Sequence, residues 1–68
     1  MIWIIGGTSE ARKLVTRLDD IDDFVVTSAT EGSREFIQSD KLIVGRMKLD
    51  EMLYFVEKHN ISLIVDLS

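Results

Sequence analysis

Ile2-Trp3-Ile4-Ile5-Gly6-Gly7-Thr8-Ser9-Glu10-Ala11-Arg12 is the stretch on which the reading of the 68-residue chain turns. Four apolar residues end at two glycines and two hydroxyl residues follow. From there Ala11, Leu14, Val15 and Leu18 recur at helical spacing. This is a strand, a tight turn and the start of a helix, expected over about Thr8 to Leu18. The first N–H groups of a helix have no intrahelical partners, and the helix dipole favours negative charge beside them. Gly6 and Gly7, lacking a Cβ, let the chain turn sharply and let a pyrophosphate approach the backbone. Gly6, Gly7, Thr8, Ser9 and Glu10 are therefore candidate phosphate-binding residues. The competing reading is an ordinary strand-to-helix corner capped by Thr8 or Ser9. The G-x-G-x-x-G fingerprint is absent, and Glu10 complements the dipole but would repel a phosphate.

Composition narrows the function. A chain of 68 residues is one domain at most, and domains of this size bury only ~60% of the surface of the unfolded chain. With 46% apolar residues the sequence is not a disordered tail, and a net charge of −4 argues against a general nucleic-acid or anionic-membrane surface. A small molecule or another protein is the expected partner. There is no cysteine, which removes disulfides and thiolate metal sites and suits a cytoplasmic protein. The N-terminus lacks the basic region of a secretory signal, and no apolar stretch approaches the ~20 residues of a membrane span.

Working outward, the first helix should stop at Asp19, Asp20, Asp22 and Asp23, a solvated loop without the glycine and distal Glu of an EF-hand, so no metal site is expected. Phe24 to Ala29 reads as a second strand covered on both faces. In dinucleotide folds the end of this strand meets the adenosine ribose. Glu31 would serve a 2′-hydroxyl there, whereas Ser28, Thr30 and Arg34 would hold a 2′-phosphate, and the choice between NADH and NADPH stays open. Ordinary turn and capping roles for these residues are an equal alternative. A short amphipathic helical piece with Phe36 and Ile37 leads to a third strand, Leu42 to Val44. Gly45 and Arg46 close it, and Arg46 is a further candidate ligand contact at the strand end.

Leu49, Met52, Leu53 and Val56 repeat at i, i+3, i+4 and i+7, predicting a second helix from about Leu49 to His59 with these four as its core stripe. Tyr54 and Phe55 fall outside that stripe and are expected on a surface meant for a second domain or subunit. His59, the one imidazole, reads as a helix-end residue rather than a catalyst, with Asn60 in the left-handed position after it. Ser62 to Ser68 is a fourth strand.

Strands alternating with helices call for a parallel α/β sheet with right-handed crossovers, in the Rossmann-like order 3-2-1-4. The ligand crevice then lies at the carboxyl ends of strands one and four, bordered by Gly6 to Glu10 and Asp66 to Ser68. The first helix and the short segment would cover one sheet face and the second long helix the other. Strand four would be a bare edge, so the isolated chain is expected to pair with a copy of itself or to aggregate mildly.

Ile4-Ile5-Gly6-Gly7-Thr8-Ser9-Glu10-Ala11-Arg12 resembles the N-terminal signature of the precorrin-6A (precorrin-6x) reductases of cobalamin biosynthesis. Ala29-Thr30-Glu31 with Arg34-Glu35, Val44-Gly45-Arg46, and Ile61 to Asp66 are weaker matches in the same order. The resemblance implies an oxidoreductase of two Rossmann-like lobes that uses NADPH or NADH to reduce one double bond of the precorrin-6A macrocycle. Residues 1–68 would be its N-terminal nucleotide-binding lobe. The family's Thr/Ser-His-Pro-aromatic-Ala stretch would begin at Ser68, and Gly32 stands one place earlier than the expected glycine. The chain is accordingly read as a fragment, an incomplete half that would not transfer hydride by itself. Catalytic residues are not identified. Rival readings are another NAD(P)-dependent reductase, such as a nucleotide-sugar-modifying enzyme, which would need a Tyr-x-x-x-Lys pair further on, and a non-catalytic receiver-like or assembly module. A receiver would need acidic residues where Ile4-Ile5-Gly6 offers none.

Overall fold

The computed structural model describes residues 1–18, 20–21 and 23–67. The parts of the acidic run at Asp19 and Asp22, and the expected strand end at Ser68, lie outside them. Four strands, β1 (Ile2–Ile5), β2 (Phe24–Ser28), β3 (Leu42–Val44) and β4 (Leu63–Asp66), form one parallel sheet in the order β3-β2-β1-β4. Helices α1 (Ser9–Leu18) and α2 (Leu49–Lys58) and a 3-10 segment, Glu31–Glu35, lie between them. The expected order and alternation are those observed.

β2 is buried at every position because it runs inside the sheet with a layer on each face. Ile4, Phe24, Val26 and Leu42 pack with Ala11 and Val15 of α1 and with Ile37 on one face. Trp3, Val25 and Phe55 make the second, smaller core under α2. The residue that carries the short segment into the core is Ile37, whereas Phe36 stays exposed, and the helical turn itself lies just before both.

The phase of α2 differs from the expected stripe. Met52, Phe55 and Val56 face the sheet, with Phe55 only 7% exposed and its ring 4.7 Å from that of Trp3. Leu49 and Leu53 are 72% and 61% exposed. The large indole of Trp3 meets the Phe55 ring in a tilted aromatic contact, and that contact sets the rotation of the helix. Tyr54 is exposed, as expected.

The helix ends are defined by local chemistry. Glu51 Oε1 accepts the Lys48 N–H at 3.2 Å, the reach-back half of a capping box. At the other end Asn60 takes a left-handed φ of 53°. Its N–H goes to Glu57 O and the Ile61 N–H to Val56 O, the paired bonds of a Schellman motif. His59 is the residue at this terminus, its ring stacked 4.3 Å from Phe55.

Candidate functional site

The carboxyl ends of the four strands are tied into one rim by backbone bonds. Gly6 N–H donates to Thr27 O at 2.9 Å, Gly45 N–H to Ser28 O at 2.8 Å, and Leu67 N–H to Ile5 O at 2.8 Å. The glycine corner therefore sits between the ends of β2 and β4, where the sheet's winding reverses.

Each glycine of the corner has its own reason. Gly6 has φ 151°, a backbone that side chains rarely adopt, and a Cβ there would lie 3.3 Å from Leu67 Cβ. Gly7 has no such angle. A Cβ on Gly7 would instead collide with the Ser28 hydroxyl and the Ser33 Cβ, so the glycine lets the corner lie directly on the loop after β2. The space beneath Gly7 is filled by protein, and a ligand would approach the corner from its outer side.

Thr8 stands at the start of α1, its carbonyl accepting the Arg12 N–H at 3.1 Å. Thr8, Ser9 and Glu10 are exposed. The amides of such a first turn have no i−4 acceptors and point out of the helix. Glu10 lies 3.9 Å from Lys13, which partly offsets its charge.

Of the residues expected to meet the adenosine half, Ser28 is buried and its Oγ accepts the Thr30 N–H at 3.4 Å. It supports the corner from below. Thr30 is exposed, and its carbonyl accepts the Ser33 hydroxyl at 2.7 Å and the Ser33 N–H at 3.3 Å. Arg34 is also exposed, with its Nε donating to Glu31 Oε2 at 2.7 Å. The two side chains expected to compete for opposite cofactor chemistries are thus paired with each other. Arg46 is exposed and, among the described residues, has no polar partner. With Ile5, Ser28, Ala29 and Met52 it lines a cavity of about 280 Å³ on the α2 side of the rim.

Ser33, only 2% exposed, was not among the expected residues, although it shapes the corner as much as Gly7 does. The local signal was a small residue after Gly32, able to tuck under another backbone. Leu67 is the second such residue, packed against Gly6.

An open parallel sheet with a glycine corner at its reversal, opening onto a helix N-terminus, is an α/β architecture of the Rossmann-like class. Within that class, the family described as Precorrin-6x reductase CbiJ/CobK matches residues 1–68, and the chain belongs to it. No curated protein and no solved structure matches the chain. Membership implies precorrin-6x reductase activity in cobalamin synthesis, with a tetrapyrrole substrate and a nicotinamide cofactor of the kind such reductases generally use.

Proposed function

We propose that the chain is the nucleotide-binding lobe of an NAD(P)H-dependent precorrin-6A reductase, with Gly6 to Glu10 holding the cofactor's pyrophosphate. The observation that carries this reading is the position of the glycine corner, at the rim between β2 and β4 and directly before the outward-facing first turn of α1. Such a corner fits an anion because it offers backbone donors and a favourable dipole without needing a lysine. Thr30, Arg34 and Arg46 supply polar groups on the adenosine side of the rim, and Ser28 fixes the loop that presents them.

The bound cofactor supplies the hydride for reduction of the macrocycle. What this chain contributes is binding and orientation, since its rim holds donors and cations but no group identified as an acid or base for the reaction. The reducible double bond must be held against the nicotinamide from a second side, so the lobe alone does not carry out the transfer. A net charge of −4 supports a small-molecule role over nucleic-acid or anionic-membrane partners, and the cytoplasmic reading is supported by a sequence without cysteine. Among the described residues no helix is long and apolar enough to cross a membrane.

NMR titration of the chain with NADPH and with NADH tests the proposal. Amide shifts concentrated at Gly6 to Glu10, Thr30 and Arg46 are expected. No shift with either cofactor at millimolar concentration would overturn it.

A further inference from the structure

We infer that Ser33 is a positioning residue of the nucleotide site: seated beneath Gly7, it sets the spacing between the corner that receives the pyrophosphate and the loop that faces the adenosine half. The inference rests on the reading of the rim as a cofactor site, and deepens it by giving a role to a side chain buried away from the ligand.

The loop after β2 carries Thr30, Glu31 and Arg34, all exposed. Left to its own turn, it would hold these groups at no set distance from a corner that belongs to another strand. Ser33 removes that freedom. Within the loop its N–H and its hydroxyl both donate to Thr30 O, at 3.3 and 2.7 Å. Its carbonyl accepts the Phe36 N–H at 3.0 Å and the Ile37 N–H at 2.9 Å, and Ile37 packs in the core with Ala11 and Val15 of α1. The backbone groups and the hydroxyl proton of Ser33 are thus engaged inside the protein, and at 2% exposure it has no surface to offer a ligand. What it contributes to binding is place, not contact.

Toward the corner, a Cβ on Gly7 would collide with Ser33 Cβ and with the Ser28 hydroxyl. The seat exists because the upper residue has no side chain and the lower one has a small side chain, so the two loops lie closer than a larger pair would allow. Thr30 is held beside this seat at both of its peptide groups, its N–H by Ser28 Oγ at 3.4 Å and its carbonyl by Ser33. A ligand that spans two subsites gains over its separate halves only when their spacing matches it, because the second half then acts at a high effective concentration. Loosening the seat removes that gain and leaves each half-site as it was. Lost contacts or a lost fold would weaken the halves as well.

The test is an NMR titration of the chain with whichever dinucleotide the parent binds more tightly, NADPH or NADH, and with its halves. Inorganic pyrophosphate probes the corner, and adenosine 2′-monophosphate or adenosine, to match, probes the loop. Ser33→Thr keeps the hydroxyl and adds a methyl group where there is no room for it. It should weaken the dinucleotide about tenfold or more while the halves bind as they do to the parent. Gly32→Ala, at the preceding residue, adds a Cβ that meets nothing within 4 Å and should bind all of them as the parent does. Should Ser33→Thr not fold, Ser33→Ala removes the tether to Thr30 without adding bulk and decides by the same comparison, with a severalfold loss expected for the dinucleotide alone. Where a half binds too weakly to titrate, the shift pattern of the dinucleotide decides: in the Ser33 variant the Gly6 to Glu10 amides should still respond at saturation and Thr30 should not. An unchanged dinucleotide affinity in a folded Ser33 variant, a loss shared equally by the halves, or a response that persists at both places would overturn the inference and leave the cofactor reading standing. A parent that binds neither dinucleotide would overturn both.

Discussion

The indole N–H of Trp3 donates to Thr27 Oγ1 at 2.8 Å, joining β1 to β2 inside the face covered by α2. Both residues are buried, at 2% and 5% exposure, so neither group has water as an alternative. A buried donor left without its acceptor costs about 1–3 kcal/mol. Thr27→Val keeps the shape and removes the acceptor, and urea unfolding should show a loss in that range. Thr27→Ser should retain more of the stability. A change in Thr27→Val near zero would mean that the bond contributes little.

Gly7 and Gly32 make a matched comparison. A Cβ at Gly7 meets Ser28 and Ser33, whereas one at Gly32 meets nothing within 4 Å. Overpacking a closed contact costs about 1–3 kcal/mol. Gly7→Ala should lower the thermal midpoint clearly, and Gly32→Ala should leave it within a degree or two of the parent or raise it. Equal effects at the two positions would show that the corner does not rest on the serine loop.

Asn60 is the residue with left-handed backbone after α2. The left-handed conformation costs most residues roughly 1–2 kcal/mol and glycine nothing. Asn60→Gly should be neutral or stabilising and Asn60→Ala destabilising by about 1 kcal/mol in the same urea series.

The Glu31–Arg34 pair is exposed on both sides, so its rupture should change stability by no more than ~0.5 kcal/mol. Its effect should instead appear in binding. Glu31→Gln frees the guanidinium and removes a carboxylate from the end of β2, which should raise affinity for NADPH relative to NADH several-fold, read by calorimetric titration of both. An unchanged ratio would remove this pair from cofactor choice.

Phe55→Ala should cost about 3–5 kcal/mol, enough to unfold a domain of this size at room temperature, while Leu53→Ala should cost under ~0.5 kcal/mol. The spacing Leu49, Met52, Leu53, Val56 reverses that order, so the two variants measure which face of α2 is buried.

That reversal shows where the sequence was legible and where it was not. The alternation of apolar strands and helical spacings, joined to the handedness of crossovers, leaves few orders for four strands, and 3-2-1-4 is the one observed. Period fixes that α2 is amphipathic but not its rotation. Met52 and Val56 belong to two overlapping stripes, one with Leu49 and Leu53 and one with Phe55, and the choice is made by the Trp3 ring on another strand. The same limit applies at the glycine corner. The two glycines were readable as a sharp turn open to a ligand, but what the missing Cβ of Gly7 makes room for, Ser28 and Ser33 at 21 and 26 residues' distance, becomes visible only when the loops meet. Thr30 and Arg46 could be placed near the rim from strand ends alone, while the burial of Ser28 and the engagement of Arg34 by Glu31 depend on side-chain geometry.

Leu67 occupies the space that a Cβ on Gly6 would need, and its amide donates to Ile5 O. The exit of β4 thus runs beside the proposed anion-binding corner, tied by backbone to the end of β1. A side chain larger than hydrogen at residue 6 would therefore press on the segment that follows β4 as well as strain its own backbone.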